Sequence, residues 1–441
     1  MKKRIALVLS LVLLPVLLSS CEMFAPNQMQ TPGYATSGGE TGLSGEPEDS
    51  ADPAENVAGG VDEYGFTVFP DGTYLADKKF DTNEFLPDCD ADPSLIQFAS
   101  TSLFALCRTE DTVYSSRIGV SQSPFIIYAD KATGISSPLC GRPECLHNDS
   151  TCNAYVTSRA DGLCVYDGKL YWISDRSNIT RMNLDGTGRK TVAPVGSVYD
   201  NINNDKSVVF HRGYLYVAGS QHQVVENGVA MGSFTINVKP LDGGEDFTIL
   251  RKLVDGTGTE CLIKPVGNDL YIMLYYFNYE IEGNFDTYYD TVEFYRWDTK
   301  TRQAEFISGT QSSPGGMRFL ARSFHPVPGN GIYFQAYIST EDGRSNIIYK
   351  YSFETDTYEE GTWLAGYSWL LYCKNFIIAY ADRTVYTYDY DGNPLYKSDR
   401  VEGHALGNFV GADSEFAYFY SVEDGDYVAV PLNGGDYIAI K

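Results

Sequence analysis

Past residue 94 apolar and polar residues follow each other with a period of two, and a helical period of apolar residues is almost nowhere to be found. The clearest stretch is Asp167–Val192. Leu170, Trp172 and Ser174 alternate with Tyr171 and Ile173, a polar turn stands at Asp175–Asn178, and a second alternating run goes from Ile179 to Leu184. Asp185-Gly186-Thr187-Gly188 turns the chain again before a short third strand. Strand, tight turn, strand, tight turn, strand is an antiparallel meander.

Weaker copies recur every 40 to 60 residues or so, a spacing of radial sheet repeats rather than helical ones. They span Ser94–Cys140, Gly162–Val195, Ser207–Leu253, Cys261–Ile307, Ser323–Glu360, Gly366–Lys397 and Leu406–Lys441. The pattern predicts an all-β chain, a seven-bladed β-propeller of four-stranded antiparallel blades. In the first copy the expected strands are Leu95–Phe98, Leu103–Cys107, Phe125–Ala129 and a short one ending near Leu139. The position of Leu170-Tyr171-Trp172-Ile173 is taken in later copies by Tyr214-Leu215-Tyr216-Val217, Leu270-Tyr271-Ile272-Met273, Ile332-Tyr333-Phe334, Phe376-Ile377-Ile378 and Phe416-Ala417-Tyr418-Phe419. The last copy holds all its own strands, so ring closure is expected to rest on packing between the first and last blades. About 380 residues are too many for one small core, and repetition resolves this because each blade packs only on its neighbours.

The N-terminus has a different grammar. Lys2, Lys3 and Arg4 precede the apolar run Ile5–Leu18, which Pro15 interrupts, and Leu18-Ser19-Ser20-Cys21 follows. The last four resemble the lipobox of bacterial lipoproteins. That resemblance implies a signal peptide over residues 1–20, cleavage before Cys21 and lipid on the Cys21 sulfur, which anchors the chain without spanning the bilayer. Residues 21–60 carry seven acidic groups and no lysine or arginine among Gly, Ser, Thr, Pro and Ala, the composition of a solvated tether. Residues 61–93 are expected to form a hairpin around Pro70-Asp71-Gly72 and a lead-in, with the propeller at 94–441. The expected location is the bacterial cell surface, on the outer face of the cytoplasmic membrane.

Two further resemblances concern the folded part. Tyr171-Trp172-Ile173-Ser174-Asp175, followed by Ile179, Arg181 and Asn183-Leu184-Asp185-Gly186, resembles one YWTD repeat of receptor propellers, with Ile-Ser in place of Thr-Asp. Pro138-Leu139-Cys140, Pro143-Glu144-Cys145-Leu146-His147 and Cys152-Asn153-Ala154-Tyr155 resemble a signature of propeller lipoproteins of Gram-positive bacteria. The second likeness implies the same fold and location and brings no activity with it.

The formal charge of −25 disfavours nucleic acid and anionic lipid surfaces and leaves cations, neutral glycans or basic proteins as partners. Cys21 aside, eight cysteines remain, and an exported protein is free to form disulfides. Cys140, Cys145, His147 and Cys152 offer three thiols and an imidazole within a short loop. They fit disulfides, with Cys164 as the fourth partner, or a structural zinc ion, or free thiols; no other cofactor is expected. Cys89 and Cys107 are a further conceivable pair. Strand parity places this loop on the same rim as the two longest turns, Ser220–Met231 and Asn278–Tyr289. The second turn offers Tyr279, Glu280, Glu282, Asp286, Tyr288 and Tyr289, aromatic faces among carboxylates that suit sugars or cationic peptides.

Nothing else carries chemistry. His147, His211, His222, His325 and His404 are scattered, and no nucleophile elbow is present. Asp88, Asp90 and Asp92 alternate without the glycine and distal glutamate of a calcium loop. The expectation is a lipid-anchored, non-catalytic propeller that binds a protein or glycan through a loop-rich face. The alternative is a glycan-active hydrolase or lyase with acidic residues at the channel mouth.

Overall fold

The computed structural model describes residues 60–61, 67–68, 74–75, 104–117, 125–156, 160–196, 206–226, 229–254, 257–279, 287–312, 318–340, 343–365, 369–373, 376–401, 406–412, 415–421 and 427–440. They contain no α-helix. Seven antiparallel sheets form a seven-bladed β-propeller, as the alternation predicts: blade one at 104–138, two at 160–194, three at 206–254, four at 257–311, five at 318–365, six at 369–397 and seven at 406–440. Residues 1–59, which include the expected signal peptide, Cys21 and all but the last residue of the expected tether, lie outside the described residues.

Each blade has four strands in chain order. The first strand of one blade touches the first strand of the next from blade one through blade six, and again from seven to one. First strands therefore lie innermost. Blade seven supplies all four of its strands from Leu406–Ala412, Phe416–Ser421, Tyr427–Pro431 and Ile438–Ile440. The ring closes through packing: Tyr418, Tyr427 and Ala429 share one core cluster with Leu106 and Val113 of blade one and Trp172 of blade two. Blade three is wider than the rest. Gly60–Val61, Thr67–Val68 and Tyr74–Leu75 add to its outer edge, Tyr74 and Leu75 pairing with Arg251 and Leu250.

Period-two alternation means something specific in a propeller, because both faces of a blade are buried and each belongs to a different neighbour. In blade two, Leu170 and Trp172 sit in the cluster shared with blade one, whereas Tyr171 and Ile173 sit in the cluster shared with blade three. Blade three repeats this with Leu215 and Val217 toward blade two and Tyr216 and Ala218 toward blade four. The equivalent of Leu170-Tyr171-Trp172-Ile173 is thus Leu215-Tyr216-Val217-Ala218, one residue later than the sequence match places it. A slip of one residue exchanges the two faces of a strand, and two flanking tyrosines hide it. Blade four follows the same register, with Leu270 and Ile272 toward blade three and Tyr271 and Met273 toward blade five.

Blade one corrects a second expectation. Its strands are Phe104–Arg108, Thr112–Arg117, Ile126–Asp130 and Ser136–Pro138. The second strand, Thr-Val-Tyr-Ser-Ser-Arg, has only two apolar residues and was not among the expected ones, while Leu95–Phe98 lies outside the described residues.

Blades three to five differ in reach. The second and third strands hold 13 and 12 residues in blade three, 11 and 11 in blade four, and 10 and 10 in blade five. Elsewhere these strands hold 5 or 6. The second strands start in the same register, at Lys169, Tyr214, Asp269 and Gly331, so the excess all projects at the far hairpin end. At about 3.3 Å per residue the overhang amounts to roughly 13 to 23 Å. Ser220–Met231 is therefore mostly paired strand rather than loop, Ser220 pairing with Phe234 and Glu226 with Val229, and in Asn278–Tyr289 the ends are paired, Asn278 with Tyr289 and Tyr279 with Tyr288.

Candidate metal centre and the long-hairpin rim

The connection from blade one to blade two is built from tight turns fixed at both ends. Leu139 donates its N–H to the Ile126 carbonyl (2.8 Å), Ile126 donates to the Ala154 carbonyl (2.8 Å), and Phe125 bridges Tyr155. Between these anchors Cys145 N–H closes a turn on the Arg142 carbonyl (3.1 Å) with Pro143 in its second position, where a fixed φ suits the turn. Asp149 Oδ1 accepts from the Thr151 N–H (2.8 Å) and hydroxyl (2.7 Å), and Tyr155 N–H closes a turn on the Cys152 carbonyl (3.1 Å). His147 stands in the left-handed region at φ 53°.

These turns bring Cys140, Cys145, His147 and Cys152 together, with one donor atom of each lying within 4.8 Å of every other. His147 Nδ1 is 3.4 Å from Cys152 Sγ. Cys152 is buried, and the other three are partly covered. All three thiols are free. Desolvation pushes the Cys140 thiol up, but backbone N–H groups of Arg142 and Asn153 and the neighbouring thiols outweigh it, and the net direction is down. Burial and the two other thiols push Cys152 up to about 12, against the Ala154 N–H.

Cys164 does not join them. It lies on the innermost strand of blade two, Ala160–Tyr166, inside the apolar cluster shared with blade three, and burial raises its pKa. Its ionisable neighbour is Cys107 of blade one, likewise free and raised first by burial and then by Cys164. The strand alternation of Ala160–Tyr166 carries this information, but spacing along the chain does not. Cys89 lies outside the described residues.

The cysteine loop, tied to the start of blade one's third strand at Phe125 and Ile126, also reaches blade two. It packs on the Asp185–Gly188 turn, which joins the third and fourth strands of blade two: Asn153 Nδ2 donates to the Gly186 carbonyl (2.9 Å), and Arg189 donates to the carbonyls of Asn153 (2.9 Å) and Tyr155. A Cβ on Gly186 (φ +80°) would stand 2.7 Å from the Cys140 nitrogen.

On the other side of the ring, the blade-four hairpin is fastened through two buried carboxylates. Asp290 is fully buried. It accepts from Arg318 Nε (2.8 Å), the Phe319 N–H (2.9 Å) and the Tyr275 hydroxyl (2.8 Å), and its own N–H donates to Ser312 Oγ (2.7 Å). The Arg318 guanidinium lies 3.2 Å from the centre of the Tyr288 ring. Facing blade three, Glu293 accepts from Lys252 Nζ (2.9 Å), the Tyr276 hydroxyl (2.8 Å) and the Tyr295 hydroxyl (2.8 Å). Tyr275 and Tyr276 are adjacent in the strand and point to opposite neighbours, each donating to one carboxylate; burial, then the carboxylate, raises the pKa of both. Neither Asp290 nor Glu293 stands out in the sequence, where acids among tyrosines look like surface alternation.

Of the rim residues named from the sequence, Tyr288 is held in this network through its hydroxyl contact with Tyr275 (3.2 Å), and Tyr289 is half-buried in the paired strand. Tyr279 is paired through its backbone. Glu280, Glu282 and Asp286 lie outside the described residues.

No protein-family model matches the chain, and no curated protein is significantly similar to it. Among solved structures it is similar to an oligogalacturonate lyase in complex with manganese (13% identity, 83% of this chain and 97% of that one, TM-score 0.43) and to an ulvan lyase (11%, 81% and 97%, TM-score 0.45). It is also similar to the acylaminoacyl peptidase of Pyrococcus horikoshii (12%, 80% and 54%, TM-score 0.42), spanning about half of that protein.

Proposed function

We propose that this chain is an exported, lipid-anchored propeller that serves as a binding platform for a protein or glycan, with the partner seated on the rim raised by blades three to five. The overhang of those three hairpins carries the reading. Four blades close the ring with second and third strands of 5 or 6 residues. The additional rows in the other three are not needed for closure, yet the base of the blade-four hairpin is fixed on both faces by buried carboxylates. A stiff projection with aromatic and acidic residues toward its tip is a surface prepared for contact at low ordering cost. The anchor rests on the Cys21 motif and the acidic tether, and an ion held by the cysteine loop has a structural role here.

The enzyme alternative requires paired carboxylates near the axis. Among the described innermost strands, carboxylates occur at Asp161 in blade two and Glu260 in blade four, on blades that are not neighbours.

Replacing residues 280–287 by an Asn-Gly turn preserves the Tyr279–Tyr288 pairing and removes the tip. Binding of this variant and of the parent chain is to be measured on purified cell-wall polysaccharide and on a printed glycan and protein array. The reading expects an unchanged melting temperature and at least a tenfold loss of binding. Equal binding by both chains contradicts the rim, and release of oligosaccharide products by the parent chain supports the enzyme instead.

A further inference from the structure

We infer that Cys140, Cys145, His147 and Cys152 form a closed tetrahedral zinc site that staples the connection between blades one and two. This inference is independent of the rim reading. A tetrahedral ion with about 2.3 Å to sulfur and 2.0–2.1 Å to nitrogen sets a sulfur and a nitrogen roughly 3.6 Å apart and two sulfurs roughly 3.8 Å apart. The observed separation of His147 Nδ1 from Cys152 Sγ is 3.4 Å, and no pair of donor atoms exceeds 4.8 Å. Contraction by about an ångström completes the shell.

Three independent features fit a thiolate site. The backbone N–H groups of Arg142 and Asn153 point at Cys140 sulfur and that of Ala154 at Cys152 sulfur, the hydrogen bonds that hold thiolates around a metal. Three thiolates and one divalent ion leave a net negative charge, and two guanidiniums reach the loop: Arg142, which also pairs with Glu144 (3.2 Å), and Arg189. Both are held in place by loop carbonyls, Arg142 Nη1 donating to Thr151 (2.6 Å) and Arg189 to Asn153 (2.9 Å). The donor count also matters. One disulfide uses two of the three thiols and leaves the third beside the imidazole, whereas a single ion uses all four donors. Soft sulfur with one imidazole selects zinc over magnesium, calcium or manganese, and four protein ligands leave no open position for catalysis. Binding sends the thiol protons to solvent.

The test is metal analysis of the full chain purified without chelator. Expected is about one zinc per chain, with the loop thiols unreactive to a thiol reagent until the ion is stripped. Cobalt substitution should give thiolate-to-metal charge-transfer absorption. Cys145→Ser and His147→Ala should each lose the metal, and Cys164→Ala should keep it. Should those variants fail to fold, zinc removal from the parent chain by a strong chelator, followed by zinc re-addition, replaces them: the melting temperature should drop by roughly 5 °C and recover. A disulfide seen as loss of two hydrogens in the intact mass overturns the inference. So do reactive thiols without metal, stoichiometric iron or copper, and zinc that survives both ligand variants.

Discussion

The seam between blades one and two and the seam between blades four and five solve the same problem by opposite means. Each must hold two twisted sheets face to face. Blades four and five have long strands, and their contact includes Phe294, Phe319, Phe324 and Phe334 together with a carboxylate sealed inside. Blades one and two have strands of 3 to 7 residues, and the loop with soft donors that joins them buries Leu139, Cys152, Ala154 and Val156 in their shared cluster. Long strands bring enough buried area to hold the seam from within. The seam between blades one and two has an apolar cluster of its own, with Phe125, Ile126, Leu170, Trp172 and Met182, and the loop packs into it.

The largest expected difference comes from Asp290→Ala. It leaves Tyr275 and the Phe319 N–H without their acceptor and Arg318 without its counter-charge. Removing one partner of a buried ion pair costs about 3–5 kcal/mol, and the solvent access of Arg318 places this case at the lower end. Denaturant unfolding measures it, and a loss below about 1 kcal/mol would show that the seam does not depend on this carboxylate.

Gly186→Val should come next. The backbone there has φ +80°, and the new Cβ meets the Cys140 nitrogen at 2.7 Å. A cost of about 2–3 kcal/mol is expected from backbone strain and the displaced loop. Gly168→Ala is the matched control, with φ +63° and nothing within 4 Å of its added Cβ, and should cost only about 1 kcal/mol. Equal losses in the two unfolding curves would deny the docking of the loop on the Asp185–Gly188 turn.

Mild acid should give the smallest effect, and one of opposite sign at the two places. Hydrogen bonds from Thr187 hydroxyl and N–H hold the Asp185 carboxyl below its ordinary value. A depressed folded pKa stabilises above the unfolded value and is lost as pH falls through the folded one, so the turn under the cysteine loop loosens below pH 4 or so. Burial, partly offset by Arg296, raises Asp269 in blade four. Its ionised form opposes folding, and protonation relieves that cost, so this corner does not loosen with the turn. Amide exchange across a pH series separates the two, and uniform loosening would contradict the assignment.

Much of this contrast can be read in the sequence and some of it cannot. Alternation shows the sheets because both faces of every blade are apolar, and the tight grouping of Cys140, Cys145, His147 and Cys152 survives folding because three short turns suffice to gather them. The register of blade three does not come through, since Tyr214 and Tyr216 look alike from either side of a one-residue slip. The hairpin overhangs look like polar turns because polar residues dominate the sequence between Tyr279 and Tyr288. Aromatic continuity through Tyr275-Tyr276-Phe277 and Tyr288-Tyr289 is the signal that they continue. Asp290 and Arg318 lie 28 residues apart in different blades, a pairing that topology makes and composition does not reveal.

We propose that a metal-bound loop pins the seam between blades one and two, whereas buried carboxylates pin the long strands of blade four. Hydrogen exchange of the full chain with and without a strong zinc chelator tests it most directly. The account predicts faster exchange at residues 139–155 and 183–188 on chelation, with no change at 288–298. Unchanged exchange in the loop, or an equal rise in both regions, would contradict it.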